Sequence, residues 1–128
     1  MTIQQANQYF TALPEGFAST PQLRQALTAS VQQVQFVGVA GTAGKTAVAR
    51  LLAAVLQAQG IRAGLYCAGC EPLEKRIRVE GAPVDETLLC RAADALAARE
   101  ELPLQAAELA AAACCFGEAG CTLAVVEL

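Results

Sequence analysis

The sequence predicts an α/β fold on a parallel sheet, from three observations. A β-branched and aromatic run, Val34 to Ala40, is followed at once by a glycine-rich turn and an amphipathic helix. Two further apolar runs, Arg62 to Cys67 and Thr122 to Leu128, have strand length. Segments of helical periodicity separate them, which is the alternation a parallel sheet requires. The chain has 128 residues, the size of one ordinary domain.

In chain order, Gln4 to Leu13 has helical character and stops at Pro14-Glu15-Gly16. Thr20-Pro21 then offers an N-cap followed by proline at the first helical position, and Leu23, Leu27 and Val31 space one apolar stripe. Residues 1–33 are therefore expected to form an N-terminal helical segment, and residues 34–128 a nucleotide-binding α/β domain. Val34, Phe36, Val37 and Val39 mark a strand expected to be covered on both faces. Val48, Leu51, Leu52, Val55 and Leu56 recur at helical spacing, and Gly60 stands where a helix ends. After the strand at 62–67, Arg76-Ile77-Arg78-Val79 alternates and Gly81-Ala82-Pro83 turns it back, predicting an exposed hairpin over 75–84.

Asp85 caps a helix carrying Leu88, Leu89, Ala92, Ala93 and Leu96, and an alanine-rich helix runs from Leu104 to Phe116 before Gly117 and Gly120. With right-handed crossovers these elements make three layers. The last residues, Val125-Val126-Glu127-Leu128, are still strand-like. The sheet is therefore expected to be truncated relative to a larger fold, and its unpaired aliphatic edge to drive homo-oligomer formation.

Composition narrows the function. Apolar residues make up 55% of the chain and aromatic residues 5%, so the core must be aliphatic. A net charge of −3 with nine scattered basic residues argues against a nucleic-acid partner. Met1 to Phe10 is not leader-like, and the sequence has no apolar run of bilayer length, so the expectation is a cytoplasmic protein with no membrane partner. The six cysteines then read as reduced thiols, small buried hydrophobes on strands and helix. The competing reading makes Cys67 and Cys70 a redox or zinc pair, which needs two more thiolates because the chain has no histidine.

The motif that carries chemistry is Gly38-Val39-Ala40-Gly41-Thr42-Ala43-Gly44-Lys45-Thr46, directly after a strand and before a helix. Glycines let successive N–H groups and the helix N-terminus turn toward phosphate oxygens. Lys45 adds a mobile positive charge, and the Thr46 hydroxyl can reach Mg²⁺. The motif predicts a P-loop NTPase-like fold with Gly41, Thr42, Ala43, Gly44, Lys45 and Thr46 as the ATP-binding residues. It is a variant, since position 39 is valine where the strict spacing has glycine.

Gly41-Thr42-x-Gly44-Lys45 after a strand resembles the nucleotide loop of the ATP-dependent Mur ligase superfamily. The stretch Glu74-Lys75-Arg76-Ile77-Arg78-Val79-Glu80-Gly81-Ala82-Pro83-Val84 resembles its folylpolyglutamate synthase and dihydrofolate synthase branch. Glu108 in an alanine-rich helix before Gly120 and Leu123-Ala124-Val125-Val126-Glu127 points the same way. The resemblance implies an N-terminal piece of a ligase that uses ATP to activate a folate carboxylate for attack by the amino group of glutamate. It implies Mg²⁺ held by Thr46 and Glu127, and folate and glutamate as partners once missing domains complete the site.

Where that branch has Ser-Pro-His, this chain has Ala68-Gly69-Cys70, which removes one hydroxyl ligand. Position 43 is alanine where asparagine is usual, and no residue of this chain is assigned a catalytic role. Ligation by the chain alone is not expected. The alternative is a non-catalytic nucleotide- or phosphate-binding or assembly module. Arg76 and Arg78 either face a substrate carboxylate or keep the hairpin soluble.

Overall fold

The computed structural model describes residues 1–16, 29–41, 43–69, 71–99 and 102–128. Helix α1 (Ile3–Thr11) starts in a capping box. Thr2 Oγ1 accepts from the Gln5 main-chain N–H at 3.2 Å while the Gln5 side chain accepts from the Thr2 N–H at 2.9 Å. A 3₁₀ turn (Ala29–Gln33) then leads into β1 (Gln35–Val39). The helix expected from Thr20-Pro21 lies mostly outside the described residues, and Val31, its last stripe residue, is buried in that turn.

There follow α2 (Lys45–Ala58), β2 (Ala63–Tyr66), one helical turn α3 (Leu73–Arg76) and the strands β3 (Ile77–Val79) and β4 (Ala82–Pro83). Helices α4 (Glu86–Arg99) and α5 (Leu104–Glu118) precede the last strand, β5 (Leu123–Glu127). The five strands lie in the order β1-β5-β2-β3-β4. The first three are parallel, as the crossovers require, and the hairpin extends them antiparallel from β2.

Register decides which side chains share a face. Val125 stands between Val37 and Leu65, while Ala124 and Val126 alternate to the other side with Gly64 and Tyr66. Leu65, Cys67 and Val125 pack under Ala49 of α2. The opposite face carries the larger core, where α5 lies against the sheet with α4 and α1 packed about it. Alanines at 106, 107, 110, 111, 112 and 113 are buried, which lets α5 approach closely. Phe116 fills the place above Gly64, where an added Cβ would sit 2.4 Å from its ring.

Three expectations change in three dimensions. Strand β1 is not covered on both faces: it is the edge of the described sheet, and Gln35 to Gly38 are exposed. Helix α2 carries two apolar stripes, and one sheet covers only one of them. Leu52, Ala53 and Leu56 pack inward beside Ala49, while Val48, Leu51 and Val55 face out. The hairpin is not merely exposed, because Ile77 pairs opposite Tyr66 and is fully buried. Among the described residues no helix is long and apolar enough to cross a membrane.

Candidate functional site

Parallel strands β1 and β5 bring Val39 opposite Glu127, so the loop after one strand and the carboxylate ending the other lie at the same edge. Glu127 shares the parity of Val125 and therefore points to the α2 side. The first turn of α2 is there to meet it. Gly44 adopts φ +76° as the N-cap of α2, a left-handed conformation that glycine reaches without strain, and Lys45 and Thr46 follow as the first helical residues.

The Thr46 hydroxyl donates to Glu127 Oε1 at 2.8 Å, and the Ala68 main-chain N–H donates to Glu127 Oε2 at 3.0 Å. Both oxygens of a carboxylate only 7% exposed are thus engaged, which fixes its plane. Lys45 Nζ donates to the main-chain oxygen of Leu128 at 2.8 Å, and the Leu128 N–H donates to Val39 O at 2.9 Å. The ammonium, the hydroxyl and the carboxylate accordingly converge beside the loop.

Of the residues expected to bind nucleotide, Gly41, Ala43 and Gly44 are exposed and Lys45 and Thr46 half-buried, while Thr42 lies outside the described residues. Among the described residues no group of three His, Cys, Asp or Glu is placed to hold a metal. The donors present, one hydroxyl and one carboxylate, are hard oxygens. They fit Mg²⁺, which takes one or two protein oxygens and completes its shell with water and phosphate. Ala68 brings no side-chain ligand; its N–H orients Glu127 instead, a role that leaves no trace in a side-chain pattern.

A second polar group lies under the other face. Arg76 pairs with Glu108 through both arms of its guanidinium, and Tyr66 Oη donates to Glu108 Oε1 at 3.2 Å. Burial, and then the charge of Glu108, pushes the Tyr66 phenol up to about 12. Arg76 and Glu108 also border a cavity of about 540 Å³ between α1, α3 and α5, with Asn7, Phe10 and Leu73. Neither role expected for Arg76 describes this pairing, and the lone carboxylate among the α5 alanines was its only signal. Cys67, Cys114, Cys115 and Cys121 are buried, as small apolar residues are; Cys70 lies outside the described residues.

A glycine loop between a strand and a helix, with an acidic residue ending the neighbouring parallel strand, belongs to an α/β fold with helices on both faces of the sheet. Among solved structures the chain is similar to folylpolyglutamate synthase. A complex of that enzyme with AMPPCP and folate matches 100% of this chain at 25% identity and TM-score 0.81, over 35% of its own length. The Lactobacillus casei enzyme matches 99% of this chain at 21% identity and TM-score 0.80, over 36% of its length. The Mycobacterium tuberculosis enzyme, complexed with ADP, matches 98% at 23% identity and TM-score 0.77, over 32% of its length. The chain thus spans about a third of the structures it matches. No family model matches the sequence, and neither does any curated protein sequence.

Proposed function

We propose that this chain is the ATP-binding portion of a folylpolyglutamate-synthase-like, ATP-dependent carboxylate–amine ligase that adds glutamate to folate, inactive without the remainder of such an enzyme. The observation that carries the reading is the 2.8 Å contact of the Thr46 hydroxyl with Glu127, beside Lys45 on one sheet edge. Gly41 to Thr46 would cradle the phosphates through main-chain N–H groups and the N-terminus of α2. Lys45 would leave the Leu128 oxygen to neutralise phosphate charge, and Thr46 and Glu127 would hold Mg²⁺. When bound, the metal supplies charge neutralisation for phosphoryl transfer to a carboxylate. A solvated carboxylate at Glu127 and a strand-to-helix turn that merely needs glycine would not require this convergence.

The deciding experiment is calorimetric titration with Mg²⁺–ATP of the wild type and of Lys45→Ala. Binding that depends on Lys45 supports the reading, and no binding by the folded wild type overturns it. Glutamate-dependent ADP release with a pteroate substrate, after addition of the missing domains, separates a ligase from a binding module. Homo-oligomer formation belongs to the same proposal, on the exposed Phe36 and Val37 of β1 and Val48, Leu51 and Val55 of α2. Light scattering that returns only monomer mass at micromolar concentration would remove it.

A further inference from the structure

We infer that the groove between α2 and the β3–β4 hairpin is a second anion site, shaped for a compact oxyanion group bound separately from the phosphate loop. Register places it. Arg78 stands opposite Leu65, whose side chain faces α2, so Arg78 projects on the α2 side of the sheet just beyond that helix. There it meets Arg50 of α2, and the two side chains line two adjoining cavities of about 180 and 200 Å³.

The smaller cavity is walled by Arg50, Lys75, Arg76 and Arg78, with Glu71 as the one carboxylate among the described residues that line it. Four of the nine basic residues of an acidic chain therefore gather at one place. The Arg76 charge is matched by Glu108. The Arg50 and Lys75 side chains have no ion pair or hydrogen bond among the described residues, and Arg78 has only a 3.4 Å contact with Gly81 O. Three unmatched cations facing Glu71, with Glu80 of the adjoining cavity paired to Arg62, repel one another unless an anion enters.

Size and lining define what fits. A cavity of about 180 Å³ takes a carboxylate or phosphate group but not a nucleotide. The adjoining cavity, lined by Ala53, Ala54, Leu65 and Gln57 with Glu80 at its hairpin side, accepts a short, mainly apolar body attached to that group. Guanidinium forks suit both kinds of oxyanion. The Cys67-Ala68-Gly69 segment walls the site, and the Ala68 N–H on the same segment holds Glu127. The two anion sites are thus neighbours with separate cations: Lys45 serves one, and Arg50, Lys75 and Arg78 serve the other.

The test is calorimetric titration of the folded chain with citrate and with inorganic phosphate, at constant ionic strength set with sodium chloride. In Lys45→Ala, whose loop has lost its cation, saturable binding of either anion is expected, weakened about three- to tenfold when Arg50→Gln or Arg78→Gln is added, with circular dichroism confirming the fold. Preference for citrate assigns the site to carboxylates, and preference for phosphate assigns it to phosphate groups. No binding above the chloride control overturns the proposal. So does binding that Lys45→Ala abolishes and the two arginine variants leave intact, since the anion would then sit in the loop. Because Lys45→Ala reports on the loop alone, failure of the nucleotide reading and failure of this one are distinguishable.

Discussion

The Arg76 guanidinium and the Glu108 carboxylate, each with a side chain only 10% exposed, form a two-pronged ion pair joining the turn before β3 to the first half of α5. Tyr66 completes the group from β2. Desolvating both charges is costly, so the pair stabilises little against an apolar substitute, but removing one partner strands the other in the core. Arg76→Ala and Glu108→Ala are each expected to lower unfolding stability by roughly 2–4 kcal/mol, and the double replacement Arg76→Met with Glu108→Leu by clearly less. Urea unfolding of the three variants checks this. Equal losses in all three would show that volume, not charge, matters here.

Alkaline pH should weaken the fold through the same group. The Tyr66 phenol moves from 10.0 to about 12, first through burial and then through the Glu108 charge. In the unfolded chain it ionises near its ordinary value, while the folded chain keeps the proton until about pH 12. Its contribution is therefore complete below pH 10 and is lost as pH rises through that window. The buried Cys115 thiol, moved from 9.0 to about 12, acts with the same sign from pH 9 upward. Stability should fall by about 1.4 kcal/mol per pH unit for each group. Tyr66→Phe should remove one proton from the slope between pH 10 and 12. An unchanged slope would mean that the phenol titrates normally.

What could be read from the sequence was local. The strand Gln35–Val39, the Gly44-Lys45-Thr46 helix start and the alanine-rich α5 all follow from residues within one or two turns of each other. Contacts across the chain could not be read in this way. Thr46 meets Glu127 over 81 positions, so Glu127 was legible only through a family resemblance. Arg76 and Glu108 lie 32 apart, and the alternation of Arg76-Ile77-Arg78-Val79 predicts one surface for both arginines. In the structure Arg76 ends a helical turn and enters the core side, while Arg78 in β3 points to the α2 face. The second apolar stripe of α2 was invisible for a related reason: helical spacing shows that a face is apolar, not whether anything covers it.

The approach of α5 to β2 depends on the missing Cβ of Gly64. Its nearest neighbours would be the Phe116 ring atoms at 2.4, 2.6 and 2.8 Å, and Phe116 is fully buried and cannot swing away. Gly64→Ala is expected to destabilise by roughly 1–3 kcal/mol through overpacking. Adding Phe116→Leu to that variant should recover part of the loss, although Phe116→Leu alone leaves a cavity. A double-mutant cycle in urea measures the coupling. Additive effects would mean that the strand, and not the ring, moves to admit the methyl group.

Metal dependence is the sharpest test of the Thr46 and Glu127 pair, because it separates a ligand from a fold contact. Glu127 already holds its carboxylate plane through Thr46 and Ala68. If it serves Mg²⁺, Glu127→Gln keeps an oxygen for the Ala68 N–H and an NH2 that the Thr46 hydroxyl can accept from, but loses the charge the cation needs. ATP binding in the presence of Mg²⁺ should then weaken about 10–100-fold, the range seen when oriented groups at a metal site are altered. Binding in EDTA should stay near the wild-type value, since the loop N–H groups and Lys45 are untouched. The same calorimetric titration with and without Mg²⁺ decides the matter. An equal loss in both conditions, accompanied by lower urea stability, would make the Glu127 hydrogen bonds a brace between β5 and α2 and leave the metal to other oxygens.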